Sequence, residues 1–199
     1  MTKSYKTFKQ KRKQENYTKL TKKENIRARS YFKLQQIDKK FNLIKENMNI
    51  IDLGCAPGGW LQYIDSKIKT GKIIGIDLLE TPKHKEFSDN IEIIEDDFDN
   101  INDYTNIQFD LVLSDMAPEF SGNYKVDRGR THKLNLKVLE FCKDHLKKNA
   151  NCLFKTFEGE DLNMVREESK KIFHQIKEYK PQSSQKKSAE TFIICINKK

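Results

Sequence analysis

Asp52-Leu53-Gly54-Cys55-Ala56-Pro57-Gly58-Gly59-Trp60 carries three glycines between an apolar run, Asn49-Ile50-Ile51, and the helically spaced Trp60-Leu61-Gln62-Tyr63-Ile64. Glycines at such a strand-to-helix junction let a ligand approach the main chain, and α/β folds bind nucleotides there. The spacing is Gly54-x-x-x-Gly58-Gly59, not the G-x-G-x-x-G that opens directly onto a helix and cradles a pyrophosphate, so a ligand without phosphates is favoured. Twenty-three positions after Gly54, the run Lys72-Ile73-Ile74-Gly75-Ile76 ends in Asp77, an acid placed to accept hydrogen bonds from ribose hydroxyls. Loop and acid together point to an adenosine ligand, with S-adenosylmethionine the best fit. Gly54, Gly58, Gly59 and Asp77 would hold it; the plainer alternative is three turn glycines and a helix N-cap.

The other apolar runs also end in polar residues, where open α/β sheets bind their ligands. One run ends in Glu95-Asp96-Asp97-Phe98, and Phe109-Asp110-Leu111-Val112-Leu113 ends in Ser114-Asp115-Met116-Ala117-Pro118. A third, Leu153-Phe154-Lys155-Thr156-Phe157, contains a lysine that would be costly to bury between phenylalanines without an acid partner. Asp115, on the adjacent strand, can supply it. An ion pair at the ligand crevice is a candidate for chemistry, whereas purely structural pairs are usually found on the surface.

The elements that must position these residues alternate strand and helix without internal repeats. After a helix over Ser30 to Ile37, strands are expected near 49–53, 72–77, 91–95, 109–114, 150–157, 174–179 and 191–196. Helices are expected over about 59–68, 130–147 and 160–172, and the polar turn from Lys180 to Lys187 joins the last two strands as a hairpin. This is a doubly wound, Rossmann-like α/β pattern: a mostly parallel, seven-stranded sheet with one antiparallel strand.

At 199 residues the chain suits one domain with a full core. No apolar run approaches the roughly 20 residues that cross a bilayer, and there is no signal-peptide h-region, so a soluble, intracellular protein without a membrane partner is expected. Cys55, Cys142, Cys152 and Cys195 lack paired spacing, which fits a reducing compartment. Cys142 and His145 lie three apart, but zinc needs about four ligands and His84, His132 and His174 supply no matching pair, so no metal site is expected. The net charge of +9 sits entirely in residues 1–29, which hold eleven Lys or Arg against Glu15 and Glu24; the remainder is balanced, 27 against 27. A basic, apolar-poor arm on a neutral globule is the footprint of a polyanion-binding extension, with RNA or DNA the obvious polyanion. A solubilising tail and the remnant of an organellar transit segment are the alternatives.

The motifs Arg27-Ala28-Arg29-Ser30-Tyr31-Phe32-Lys33-Leu34, Asp52 to Trp60, Ser114-Asp115-Met116-Ala117-Pro118, Phe154-Lys155-Thr156-Phe157-Glu158-Gly159-Glu160 and Ser188-Ala189-Glu190-Thr191-Phe192 together resemble the FtsJ-type ribosomal RNA 2′-O-ribose methyltransferases. The resemblance runs from Arg27 to the C-terminus and implies a methyltransferase domain over 27–199 after a basic arm over 1–26. It implies a catalytic tetrad of Lys33, Asp115, Lys155 and Glu190. The contacts to S-adenosylmethionine, and to the product S-adenosylhomocysteine, carry over as Gly58, Trp60, Asp77, Asp97 and Asp115. Three departures stand out: Cys55 for a small alanine, Glu119-Phe120 for Asn-Met in a substrate-facing segment, and Gln185 for an arginine. Lys186 and Lys187 are expected to restore that last charge and, with Arg27 and Arg29, to contact RNA. The partner implied is ribosomal RNA or the large ribosomal subunit, the protein a monomer, and the compartment the cytoplasm or an organelle with its own ribosomes.

A sulfonium methyl is already electrophilic, so such an enzyme has only to align a ribose hydroxyl and help its proton leave. Lys155 either takes that proton, for which it must be neutral, or stays protonated and orients the hydroxyl. The implied target is a uridine in the A-loop of large-subunit rRNA. The alternatives are a tRNA anticodon loop, an mRNA cap, a non-catalytic rRNA-binding or ribosome-assembly protein, and an NAD-type oxidoreductase, against which the glycine spacing speaks. Amine methylation of bases is disfavoured, because Ser-Asp-Met-Ala-Pro stands where those enzymes carry a D/N-P-P-aromatic motif.

Overall fold

The computed structural model describes residues 17, 20–21, 23–83, 87–119, 121–159, 161–185 and 188–199. Most of the basic arm, His84, Phe120, Glu160, Lys186 and Lys187 lie outside these residues. The element order is α1 (Ser30–Phe41), β1 (Ile50–Leu53), α2 (Gly59–Asp65), β2 (Ile73–Asp77), β3 (Ile91–Glu95), a 3-10 turn (Phe98–Asp103), β4 (Phe109–Ser114), α3 (Tyr124–His145), β5 (Leu146–Phe157), α4 (Asp161–Ile172), β6 (Phe173–Tyr179) and β7 (Glu190–Lys198).

The seven strands form one sheet in the order β3-β2-β1-β4-β5-β7-β6. β7 runs antiparallel to both β5 and β6, and the other pairings are parallel. The order reverses at β1, so the crevice beyond the carboxyl ends of β1 and β4 is the topological switch point where such sheets bind ligands. β1 is buried at all four positions, and its sequence is apolar on either side of the buried Asp52. One sheet face packs Ile51, Leu53, Val112, Phe154 and Ile193 with Val138 and Leu139 of α3 and Val165 of α4. The opposite face packs Leu113, Leu153, Phe192 and Ile194 with Leu34 and Ile37 of α1 and Trp60 and Leu61 of α2. All four cysteines are buried free thiols.

Several boundaries differ from the sequence expectation, including α1, which runs on to Phe41 rather than ending near Ile37. α3 starts at Tyr124 rather than near 130, because the Asp127 carboxylate accepts from the Ser121 main-chain N–H and hydroxyl, each at 2.7 Å, and closes a polar first turn onto the preceding loop. β5 starts at Leu146 rather than at 150. Phe109 pairs with Leu146 but Leu111 pairs with Asn151, so the residues between bulge out, with Asn149 in the left-handed region at φ 62°. α2 is shorter than expected and ends at Asp65.

Candidate functional site

The loop after β1 is tied to β2 by main-chain hydrogen bonds from Gly54 and Cys55 to the Ile76 carbonyl, at 2.8 and 3.3 Å. Gly54 has φ +77°, and a Cβ there would stand 2.3 Å from Met116 Cγ, so this glycine lets β1 pass the segment after β4. Gly58 and Gly59 are crowded from a different side. The Cβ space of Gly58 is filled by the Arg27 side chain, 3.2 Å away, and that of Gly59 by Ser30 Oγ at 2.6 Å and Ala28 Cβ at 2.9 Å. Trp60 is buried, and its indole N–H donates to the Ser30 carbonyl at 2.9 Å. The approach to α1 thus packs against the start of α2.

Beyond the strand ends lies a crevice of about 660 Å³ lined by Gly54, Ala56, Asp77, Asp97, Phe98, Asp115, Met116 and Pro118 among others. Of the residues expected at the donor, Gly54, Asp77, Asp97 and Asp115 line it; Gly58, Gly59 and Trp60 are buried outside its lining. A larger groove, about 970 Å³ between α3 and α4, contains none of the expected site residues. The crevice at the switch point is therefore the candidate site for chemistry.

The Asp77 carboxylate accepts from the Ala56 N–H at 2.8 Å and the Leu79 N–H at 2.9 Å, so it braces the glycine loop while facing the crevice. Asp97 caps the 3-10 turn by accepting from the Asp99 N–H at 3.0 Å. Its neighbour Asp96 is engaged by Tyr104, Asn100 and the Asp97 N–H, which hold its carboxyl below the ordinary range. Asp52, at the end of β1, is 1% exposed, and neither carboxylate oxygen has a hydrogen-bond partner among the described residues. Burial, then Asp115 and Asp77, push its carboxyl well above the usual range.

On the other side of the switch point, four side chains from four segments meet. Lys155 is 9% exposed; its ammonium lies 3.0 Å from Asp115 Oδ1 and also donates to the Asp115 main-chain carbonyl. Lys33, on α1, pairs with Glu190 Oε2 at 2.7 Å. The register of β5 on β7 sets Lys155 opposite Phe192 and Phe157 opposite Glu190, so Lys155 and Glu190 are diagonal neighbours on the face covered by α1. The Lys33 ammonium lies 5.7 Å from the centre of the Phe192 ring. Burial pushes the Glu190 carboxyl up, but Lys33, the Ser184 hydroxyl and Lys155 prevail and hold it below its ordinary value.

The residues expected at RNA divide. The Arg27 guanidinium donates to the Pro82 carbonyl at 2.7 Å and lies 5.4 Å from the centre of the Phe87 ring, so it is engaged with the protein itself. Arg29 is the N-cap residue of α1, and Lys186 and Lys187 lie outside the described residues. Sequence reasoning missed Ser184 and three basic residues on the rim of the crevice, Arg130, Lys133 and Lys137. Their spacing of three and four residues on one helix was a usable signal for a shared face. No cluster of potential metal ligands and no helix long and apolar enough to cross a membrane occurs among the described residues.

Residues 26–198 match the family model of the FtsJ-like methyltransferases. The ribosomal RNA large subunit methyltransferase E of Buchnera aphidicola is 41% identical over 190 residues, covering 92% of this chain and 90% of its own. The protein of the same name from Methanosphaera stadtmanae is 37% identical over 199 residues, covering 94% and 95%. Among solved structures, a protein assigned as a ribosomal RNA methyltransferase from Plasmodium falciparum superposes with a TM-score of 0.74 at 26% identity, over 86% of this chain and 98% of that one. With nearly its whole length matched, and with curated relatives that methylate ribosomal RNA, this chain belongs to the FtsJ-like methyltransferase family.

Proposed function

We propose that this protein transfers the methyl group of S-adenosylmethionine to a ribose 2′-hydroxyl of RNA, a uridine in the A-loop of large-subunit rRNA being the target that the family resemblance favours. The observation that carries this reading is the meeting of Lys33, Asp115, Lys155 and Glu190, two largely buried ion pairs beside the switch-point crevice, each member 10–17% exposed at its side chain. The crevice suits the donor. Ile76, Phe98, Met116 and Pro118 offer apolar contact to a flat adenine, Asp77 and Asp97 offer acceptors to ribose and amine groups, and Asp115 and Asp77 favour a cationic ligand.

In the reaction, the ribose oxygen attacks the methyl carbon, the new O–C bond forms as the C–S bond breaks, and the electron pair of that bond goes to sulfur. The hydroxyl proton must leave. Lys155 either accepts it, after first yielding its own proton, or holds the oxygen in line as an ammonium while the proton leaves late. Asp115 positions Lys155, and Glu190 does the same for Lys33. The basic arm over 1–26 supplies phosphate contacts to the domain over 27–199, and the protein acts as a monomer on rRNA or the large subunit. Removing residues 1–25 should leave donor affinity intact while weakening RNA binding and flattening its salt dependence.

The deciding experiment offers radiolabelled S-adenosylmethionine with rRNA and with purified large subunits, then maps label by resistance of the ribose-methylated linkage to alkaline cleavage. Label on a ribose, lost in Lys155→Ala, is expected. Label on a base, or transfer undiminished by Lys155→Ala, would overturn the proposal.

A further inference from the structure

The Glu190 carboxylate divides its two oxygens between different partners. Oε2 takes the Lys33 ammonium at 2.7 Å, and Oε1 accepts from the Ser184 hydroxyl, also at 2.7 Å. Ser184 is 5% exposed, so water is no ready substitute for that donor. Its place is set by its neighbours. The Ser184 N–H closes a turn on the Pro181 carbonyl at 3.1 Å, and the Ser183 N–H donates to Gln36 Oε1 at 3.2 Å. Gln36 lies one helical turn beyond Lys33 on α1, so one helix holds both the cation facing Glu190 and the loop that brings Ser184 to it. Gln36 in turn donates to the Tyr17 hydroxyl at 2.9 Å. The Glu190 main-chain N–H is held separately, by the Ser188 hydroxyl at 3.1 Å.

We infer that Ser184 is a positioning residue for Glu190: its hydrogen bond to Oε1 fixes the carboxylate between Lys33 and Lys155. This rests on the proposed role of the four-residue site. A largely desolvated carboxylate beside two lysines could rotate toward either ammonium. With Oε1 committed to Ser184, only Oε2 remains for Lys33, and that pair keeps its geometry while Lys155 stays with Asp115. Without the hydroxyl, Oε1 is left desolvated and unpaired, which favours the protonated acid. Lys33 would then lose its counter-charge as the pH falls, at a higher pH than in the native protein.

Two measurements test this on the full chain. In ¹³C-carboxyl-labelled protein, with the Glu190 signal assigned by its loss in Glu190→Gln, Ser184→Ala should move the Glu190 titration to higher pH by about one unit or more, the scale of one hydrogen bond to a charged group. In rRNA methylation, the acid limb of kcat should move the same way, with KM for S-adenosylmethionine unchanged, and Ser184→Thr should restore both. Ser184→Cys, similar in shape but a weak donor, serves if Ser184→Ala does not fold. An unmoved Glu190 titration in a folded variant overturns the inference, as does a kcat lowered equally at all pH. Because the titration needs no turnover, a wild-type protein that fails to methylate rRNA would count against the proposed activity and leave this test intact.

Discussion

The β1–β2 side of the crevice is made mainly of main chain, whereas the β5–β7 side is made of paired side chains. On the first side, Gly54 and Cys55 bond to the Ile76 carbonyl and Asp77 braces Ala56 and Leu79, leaving Asp52 beneath them without a partner among the described residues. On the second, Lys155 has Asp115, Lys33 has Glu190, and Glu190 also has Ser184. A main-chain site gains rigidity from turn geometry and keeps acceptors free for a ligand. A site of ion pairs is costly to desolvate, and each member holds its place only while its partner is there. The two sides should therefore fail differently under substitution, the first through donor affinity and the second through turnover.

The largest effect is expected at Lys155. Lys155→Ala should lower methyl transfer by about 10²-fold or more, the scale of lost acid–base or positioning catalysis, with donor affinity nearly unchanged. The same change strips Asp115 of its counter-ion close to Asp52, so Lys155→Met, which keeps the apolar stem, belongs beside it as a control for folding. If calorimetry found donor affinity falling as far as turnover, the division between the two sides would be wrong.

Gly54→Val should break the other side, with roughly tenfold weaker binding of S-adenosylmethionine. A β-branched residue at φ +77° costs about 1–2 kcal/mol in backbone strain, and its Cβ would meet Met116. Gly54 is a cleaner probe than Gly58, whose side-chain space belongs to Arg27 rather than to the crevice. Glu190→Gln should cost less than Lys155→Ala, about tenfold in kcat, because it removes a group that orients rather than reacts. The Glu190 carboxyl is held low in the fold, so the stability it contributes is present above the unfolded carboxyl range and is lost as the pH falls through its folded value. Urea titrations of wild type and Glu190→Gln should therefore converge on acidification.

The contrast also separates what the sequence makes legible from what it hides. The strands could be read because β1, β4 and the end of β5 are buried on both faces and appear as apolar runs, each broken only at Asp52, at Asp110, or at Lys155 and Thr156. The starts of α3 and β5 could not. One depends on Asp127 reaching back to Ser121, the other on a left-handed Asn149 inside a register shift, and both are properties of the folded chain rather than of local propensity. Residue chemistry alone marked Lys155 and Asp115, since a lysine inside an apolar strand needs an acid. Lys33 and Glu190 lie 157 positions apart and entered only through the family resemblance. Ser184 carried no local signal, because its role depends on a turn that delivers it to a strand end from outside the strand.

Asp52 offers the finest test, since its substitution should change stability more than turnover. Its carboxyl is raised in the fold by burial and by Asp115 and Asp77, so the folded chain binds a proton that the unfolded chain has already released above about pH 4. The stability that this group contributes is accordingly complete below that unfolded value and drains away as pH rises toward the folded one, by up to about 1.4 kcal/mol per pH unit. Asp52→Asn abolishes the titration. The amide carries its own packing cost, but that cost does not vary with pH, so the informative quantity is the slope: unfolding free energies measured from pH 5 to 8 should fall less steeply for Asp52→Asn than for wild type. Parallel slopes would mean that Asp52 is ionised in the folded chain and has found a partner, and the β1–β2 side would then be as fully compensated as the side it is contrasted with.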